Sequence, residues 1–355
     1  MTNDTNPDAL WEPIVEHGTA WCAPNVCADA QWLTVRGSRW RVAITRPCPR
    51  NSYVVSATGQ YLDYAREEIR RLPSVVGRTL SHAVLRPLAP LLRALDPVLI
   101  LDALPVSTVL HATRTGDTWG EALEAARASF PGLPIVVRSL DECASAATMA
   151  QLRTAGAEFV PSRLVFHQDP RHRAFWRIRN VRNDLALSID APLPIVTLTA
   201  DDAPRIAALY WMLYGQKHSQ LNPQFSPEWL AHAMRAGVFG GEGLSHDGRL
   251  AAAYLSYRVE DLMTNPVFGY DTMLPQQLGL YRRLSLLAMQ TAQRDGLRLH
   301  ASSGAPGFKA TRGGMATMEY HAIDLRGVAG SQRWAWRVFA QTARAIAPAI
   351  FRSAR

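Results

Sequence analysis

Residues 304–314 of the 355-residue chain read GAPGFKATRGG and hold an aromatic-lysine pair, Phe308-Lys309, between two glycine-rich turns. A positioned ammonium can offset negative charge building on a carbonyl oxygen or hold a phosphate. An aromatic ring beside it can shape a pocket or stack on a base. The run is not a P-loop, which needs adjacent Gly-Lys followed by Ser or Thr, because Phe308 separates Gly307 from Lys309. A snorkelling lysine beside a core-anchoring phenylalanine is the other reading of the pair.

Two carboxylates and a histidine lie where they could serve as bases: Asp271 at the end of one strand, and Glu319 and His321 on the strand after the lysine, with Tyr270, Tyr320 and His300 close in sequence. Alternation along TMEYHAI puts Glu319 and His321 on one face and Tyr320 on the other. An imidazole near neutral pKa suits proton transfer, although a single strand histidine is also an ordinary structural residue. The segment YGQKHSQLNPQF offers Tyr214, Lys217, His218 and Asn222 as acceptor-side contacts, or else is a capped link between two helices. No H-E-x-x-H, G-x-S-x-G or G-x-G-x-x-G occurs, so zinc protease, hydrolase and dinucleotide readings lack support. The four cysteines (Cys22, Cys27, Cys48, Cys143) include one close pair and no second pair, which reads as free thiols with no metal.

Elements must carry these residues. With 48% hydrophobic and 19% charged residues, the chain can fill two packed domains. The first half gives strands WLTVRG, WRVAIT, SYVVSA, PVLILDAL and PIVVRSL, with helical YLDYAREEIRRL and TWGEALEAARASF among them. HAVLRPLAPLLRAL reads as a buried helix. A polar DAPLP at 190–194 marks a boundary. The second half gives strand PIVTLTA, helices APRIAALYWMLYGQKHS and SPEWLAHAMRAG, three antiparallel strands, the helix QLGLYRRLSLLAMQTAQRDG, strand LRLHASS and strand TMEYHAIDL. The expected domains are 1–190, 191–330 and a basic amphipathic helix over 331–355. The fold class is α/β (α+β), a mixed, largely antiparallel sheet flanked by helices.

That element order, with PQQLGLYRRL, then GAPGFK about one helix and one strand later, then the strand ending EYHAI, resembles the CelD-like and Fem-type branches of the GNAT acyltransferase superfamily. The likeness is carried by residues 195–325, and it implies a chain built from two GNAT-like halves. It implies a donor held at the start of the long helix by Gln276, Gln277, Gly279, Leu280, Tyr281 and Arg282, with Arg283 beside them. It also places Phe308 and Lys309 at the acyl-transfer site. Tyr281 departs from the superfamily pattern, which has a small residue there so that backbone can approach a pyrophosphate. The implied co-substrate is an acyl-CoA or, in the Fem-type case, an aminoacyl-tRNA, and the implied acceptor is an amine.

The formal charge of +8 favours anionic partners. Five arginines lie in 171–182, and six arginines without an acid in 326–355. Both runs are candidate phosphate or RNA surfaces, or else solvated helix faces, and the second can also be drawn as an interfacial helix at an anionic membrane, with Trp336, Phe339, Ala343 and Ile346 on its apolar side. The MTNDTNPDALWEP start has no targeting pattern, and the expected location is the cytoplasm. A third reading is a silent module that only binds nucleic acid or membrane.

Overall fold

In the computed structural model, residues 6–70, 85–114 and 118–353 are described. The first strands are β1 (Ala28–Val35) and β2 (Ser38–Thr45), joined through Arg36 and Gly37, both at positive φ (46° and 82°) as a tight hairpin turn requires. β3 (Leu99–Leu101) follows, then helix α1 (Thr118–Ser129), β4 (Ile135–Leu140), α2 (Ala146–Thr154) and β5 (Glu158–Gln168). Helix α3 (Arg179–Asp190) leads to β6 (Ile195–Thr197) and α4 (Ala203–Tyr210), and the chain continues as a π-helical stretch over Trp211–His218. The second half then repeats the order of the first: β7 (Gly240–His246), β8 (Arg249–Val259), β9 (Leu262–Tyr270), α5 (Leu280–Arg294), β10 (Arg298–His300), α6 (Pro306–Ala310) and β11 (Met315–Asp324). Helix α7 (Gly330–Ser353) ends the described chain.

Among the described residues all eleven strands form one sheet, ordered β1-β2-β3-β4-β11-β5-β10-β9-β8-β7-β6. Set β6 aside and the order is a palindrome about the β11–β5 contact: β1 matches β7, β2 matches β8, β3 matches β9, β4 matches β10 and β5 matches β11. The duplication expected from sequence is therefore a strand exchange, since the last strand of each half inserts beside the other half. β5 pairs with β10 and β11 pairs with β4, both antiparallel. The segment around residue 190 separates the halves along the chain, but they share the sheet. They also share one core, in which Val136 and Val160 join Tyr257, Val267 and Ile323.

Each half contains one parallel pair that parts early. β3 matches β4 only at Leu99↔Ile135 and Ile100↔Val136, and β10 matches β9 only at Arg298↔Leu262, Leu299↔Met263 and His300↔Thr264. From Asn265 to Tyr270, β9 runs on without β10. Helix α5 packs across this region through Leu280, Leu284, Leu287 and Ala288, the apolar stripe of a 3.6-residue period.

Two sequence expectations are corrected here. SYVVSA is not a strand: residues 53–55 turn, because the Asp96 carboxylate accepts from the Ser56 hydroxyl (2.5 Å) and the amides of Ala57 and Thr58 (3.0 Å each), capping the helical turn that follows. The apolar side of α7 does not face out. Trp336 and Ala343 are buried, and the Trp336 indole donates to Leu95 O (3.1 Å), so only Ile346 of the four residues assigned to a membrane side is exposed. The expected helix HAVLRPLAPLLRAL is found over 85–93, and its first residues, like the C-terminal part of YLDYAREEIRRL from residue 71, lie outside the described residues.

Candidate active site between the two halves

The two openings left by the parallel pairs are treated differently. In the first half, Asp102, at φ 56°, turns into the gap and is held by Arg41 and by His111 Nδ1 (2.8 Å). His111 Nε2 lies 2.7 Å from Arg138 O, and Trp119 packs edge-on against both Trp40 (4.8 Å) and His111 (5.5 Å). Arg41 and His111 hold the Asp102 carboxyl below its usual range despite its burial. That opening is plugged by its own buried side chains.

In the second half, the gap between β9 and α6 is lined by aromatic rings. Tyr281, in the first turn of α5, stands edge-on to Phe308 (4.7 Å), Phe268 (5.4 Å) and Tyr270 (6.2 Å). Arg312 lies 3.6 Å above the Phe308 ring and Lys217 Nζ lies 5.8 Å from the Tyr270 ring. Lys309 is buried beneath them, its Nζ donating to the carbonyls of Ala301 (2.6 Å), Ser302 (3.2 Å) and Ser303 (2.6 Å).

The exchanged strands add the other wall. Arg163 on β5 gives Nε to Glu319 Oε1 (2.8 Å) and NH2 to Glu319 Oε2 (3.0 Å), a two-point pairing across β5 and β11. The same NH2 reaches Ser107 O (2.7 Å) and Thr108 Oγ1 (3.1 Å), and Thr108 shares a 2.8 Å hydroxyl contact with Ser302. Arg163 sits on a central strand yet keeps 21% of its side chain exposed, so solvent reaches the guanidinium there. The positive charge of Arg163 is felt at Tyr53, Tyr61, Tyr214 and Lys309, which makes these one electrostatic neighbourhood. Burial, and after it Arg163, pulls the Lys309 ammonium down to about 7, against three carbonyls that favour its charged form. Arg138 is likewise lowered to about 10 by burial and by Arg163, so two arginines and the titrating Lys309 gather around one carboxylate, Glu319. The chemistry here is that of an aromatic-walled, positively charged site, suited to an anionic group or a developing oxyanion.

No family model matches the sequence, and no curated protein matches it. Solved structures do. L-PGS from Bacillus licheniformis superposes with a TM-score of 0.52 at 10% identity, over 95% of this chain and 98% of that one. FemX gives a TM-score of 0.49 at 8% identity over 83% and 88%, and a tandem GNAT protein from the clavulanic acid biosynthesis pathway gives 0.35 at 14% over 79% and 98%. The chain shares the overall fold of that L-PGS structure, and its own strand order shows two similar halves joined in one sheet.

Against that fold, the sequence-derived site residues divide clearly. Phe308, Lys309 and Tyr281 come together. Lys309, however, is not a free donor, because its three N–H groups are used on the 301–303 carbonyls, which makes it the clamp that shapes this loop. Glu319 is not free as a base either, since Arg163 holds both its oxygens. His321 is corrected as well: burial, then Arg138 and Arg163, push its imidazole well below the usual range, and its Nδ1 is 2.8 Å from the Tyr61 hydroxyl. The shift favours its neutral form, which donates no proton as an imidazolium would. Burial tends to raise Asp271, but Arg205 (2.8 Å) and the Met273 amide (3.0 Å) outweigh it and keep it ionised and paired.

The arginines of the expected donor loop are engaged within the protein. Gly279, at φ 61°, is the left-handed cap of α5, and a Cβ there would come within 2.8 Å of Leu187 Cδ2 on α3. Arg282 pairs with the buried Asp184 (2.6 Å), which also holds Arg312 (2.5 and 3.2 Å), while Arg283 Nε turns back to Leu278 O (2.8 Å). Leu280 is in the core, and Gln276 and Gln277 are exposed on a 3₁₀ turn. Of the acceptor-side residues, Asn222 is buried with all its polar atoms used, accepting from the Tyr53 hydroxyl (3.0 Å) and donating to the carbonyls of Tyr214 (3.1 Å) and Ser219 (2.9 Å), so it holds the loop. Tyr214 stacks on Tyr210 (5.0 Å) and borders the same site, His218 lies 6.0 Å from Tyr214, and Lys217 Nζ reaches the Tyr270 hydroxyl (3.2 Å).

Sequence reasoning missed Arg138, Arg163, Tyr53, Tyr61 and Thr108. A signal was present for the arginines: each interrupts an otherwise apolar strand, PIVVRSL or RLVF, and a charge inside such a run demands a buried partner. A separate cavity of about 500 Å³, lined by Glu242, Tyr254, Thr291 and Arg294 among others, shares none of these residues.

Proposed function

We propose that the protein is an aminoacyltransferase that takes its aminoacyl group from aminoacyl-tRNA and passes it to an amine. The observation that carries this reading is the side-chain packing at the start of α5. The Tyr281 ring stands edge-on to Phe308, a Cβ on Gly279 would meet Leu187, and Asp184 takes up both Arg282 and Arg312, so these two arginines are engaged within the protein. A coenzyme A donor needs that corner open, whereas an aminoacyl ester on an RNA terminus needs only the Arg163 site and a basic surface nearby. Such a surface is in place: Arg173, Arg177, Arg179 and Arg182 are exposed on and before α3, and the aromatics of that run turn inward, with Phe175 buried and the Trp176 indole donating to Pro170 O (2.7 Å). Charge and orientation then carry the transfer. Glu319 fixes the Arg163 fork so that its NH1, which takes no partner among the described residues, can meet the oxyanion as the amine attacks. The L-PGS and FemX likenesses agree with this reading at the level of fold.

The test is binding of the purified protein to bulk aminoacylated tRNA and to coenzyme A at two salt concentrations. Salt-dependent RNA binding without coenzyme A affinity, followed by transfer of a labelled aminoacyl group to an amine that Arg163→Met abolishes, is the expected result. Weakly salt-dependent coenzyme A binding would instead establish an acyl-CoA enzyme. Binding with no transfer to any amine would reduce the protein to a binding module.

A further inference from the structure

Four polar residues that the transfer reading does not use meet where β4 ends against β5 and β10. Asp141 lies just after β4, Cys143 two residues on, His167 is on β5 and His300 is on β10. A ligand atom from each of Asp141, Cys143 and His167 lies within 4.8 Å of the other two. Asp141, His167 and His300 are 0%, 6% and 1% exposed, and each has a buried atom without a hydrogen-bond partner: Asp141 Oδ2, both ring nitrogens of His167, and His300 Nε2. Orphaned polar atoms in a core are costly, roughly 1–3 kcal/mol each, and those of Asp141 and His167, next to the Cys143 thiol, leave room for a missing partner.

The local geometry says which atoms face that point. Asp141 Oδ1 is occupied, accepting from the amides of Cys143 (2.8 Å) and Ala144 (3.0 Å), which leaves Oδ2 as the open oxygen. His167 Nε2 is 3.0 Å from Asp141 Oδ1 but poorly aligned for a hydrogen bond. His300 Nδ1 accepts the Ser302 amide (3.0 Å), so its neutral ring carries the proton on Nε2, 3.4 Å from Asp141 Oδ2. His300 is therefore not a ligand. It is the outer partner that points an N–H at a carboxylate, the arrangement that orients metal-binding acids.

We propose that Asp141, Cys143 and His167 bind a divalent cation of the zinc class, with a fourth coordination position open to water and His300 orienting Asp141. Imidazole, thiolate and carboxylate are the zinc ligand set, and tetrahedral ligands at ordinary zinc distances lie ~3.5 Å apart, so the trio needs to close by about 1 Å. On binding, the Cys143 thiol gives its proton to solvent, and thiolate plus carboxylate neutralise the 2+ charge. The half-buried Cys143 supplies the entry path. The cation pins the loop after β4 of the first half to β5, beside β10 of the second, and through Ser302 and Thr108 it adjoins Arg163. The ligands are too far apart in sequence to form a recognisable spacing motif, which is why only the cysteine pairs drew attention there. This inference is independent of the identity of the acyl donor.

The experiment measures metal content of the full-length protein purified without chelator, then titrates the chelator-stripped protein with Co²⁺. Close to one equivalent of metal and a thiolate-to-cobalt absorption band are expected. Cys143→Ser should remove the band, Cys27→Ser should leave it, and His300→Gln should weaken Co²⁺ binding by about 10–100-fold while keeping the band. Wild-type protein, whose folding is not in question, that neither retains metal nor develops the band overturns the proposal, as does a band that survives Cys143→Ser.

Discussion

Replacing Lys309 by Met separates a loop clamp from a surface or substrate-facing lysine. Methionine keeps the length of the stem but removes three N–H groups that now meet the carbonyls of Ala301, Ser302 and Ser303 at 2.6, 3.2 and 2.6 Å. Hydrogen bonds from a charged donor contribute roughly 1.5–3 kcal/mol each, about 6 kcal/mol for three. Part of that is offset by no longer burying an ammionium that Arg163 also repels, and a net loss of about 3 kcal/mol is expected. For a chain of this size this lowers Tm by ~5 °C. The local effect is more diagnostic. Ser302 O also accepts the Phe166 amide (3.1 Å) and the Ala301 amide donates to Phe166 O (2.8 Å), so releasing 301–303 frees the join between the loop and β5. Amide exchange at Phe166 and Ala301 should accelerate by about 100-fold, the equivalent of ~3 kcal/mol. Hydrogen exchange read peptide by peptide, with a thermal melt beside it, makes the measurement. Unchanged exchange at these amides and an unchanged Tm would refute the clamp, whatever the variant did to activity.

The same lysine predicts a pH dependence: because its folded pKa of about 7 lies below the unfolded value, the folded state binds fewer protons between the two, and the stability of the wild type over Lys309→Met should grow from pH 7 to pH 9. Urea titrations at pH 7, 8 and 9 that give a constant difference would show that the three carbonyls hold the proton. Asp184→Ala should cost about 3–5 kcal/mol, measured by urea unfolding, because it strands the buried Arg312 guanidinium; a loss under 1 kcal/mol would mean that Arg312 finds water. Converting Arg173, Arg177, Arg179 and Arg182 together to Ala should reduce the slope of log K for tRNA against log salt by about 3 without changing Tm, and an unchanged slope would place the RNA surface elsewhere.

Much of the fold was legible because local signals and tertiary demands agree. The apolar stripe of α5 and the Ser226 cap accepting from the Trp229 amide (3.1 Å) can both be read from sequence. SYVVSA failed because the Asp96 carboxylate, forty residues away from Ser56, overrides the β-propensity of Val54 and Val55, and no local pattern carries that contact. The strand exchange was equally hidden, since which half receives β5 or β11 depends on pairings that link residues such as Glu319 and Arg163 across 156 positions. For the site, sequence located the Phe308-Lys309 pair and offered the lysine as a positioned ammonium or a snorkelling surface residue, neither of which is a clamp on its own loop. Its actual orientation follows from three successive carbonyls at 301–303, a backbone feature that residue types do not encode.

The exchange also bears on why the two parting strand pairs differ among the described residues. Each half brings a parting parallel pair, but Asp102, His111, Arg41 and Trp119 close the first, so its strands serve as scaffold. By sending β5 across the pseudo-dyad, the first half places Arg163 opposite Glu319 of the second, and neither residue would have its partner in an unexchanged dimer of halves. A charged strand pair buried at that join is costly unless its geometry is complete, and here both Glu319 oxygens, Ser107 O and Thr108 complete it. The positive site beside Tyr61, Tyr214 and Lys309 is thus a product of the join itself: it exists only where the two halves have traded strands.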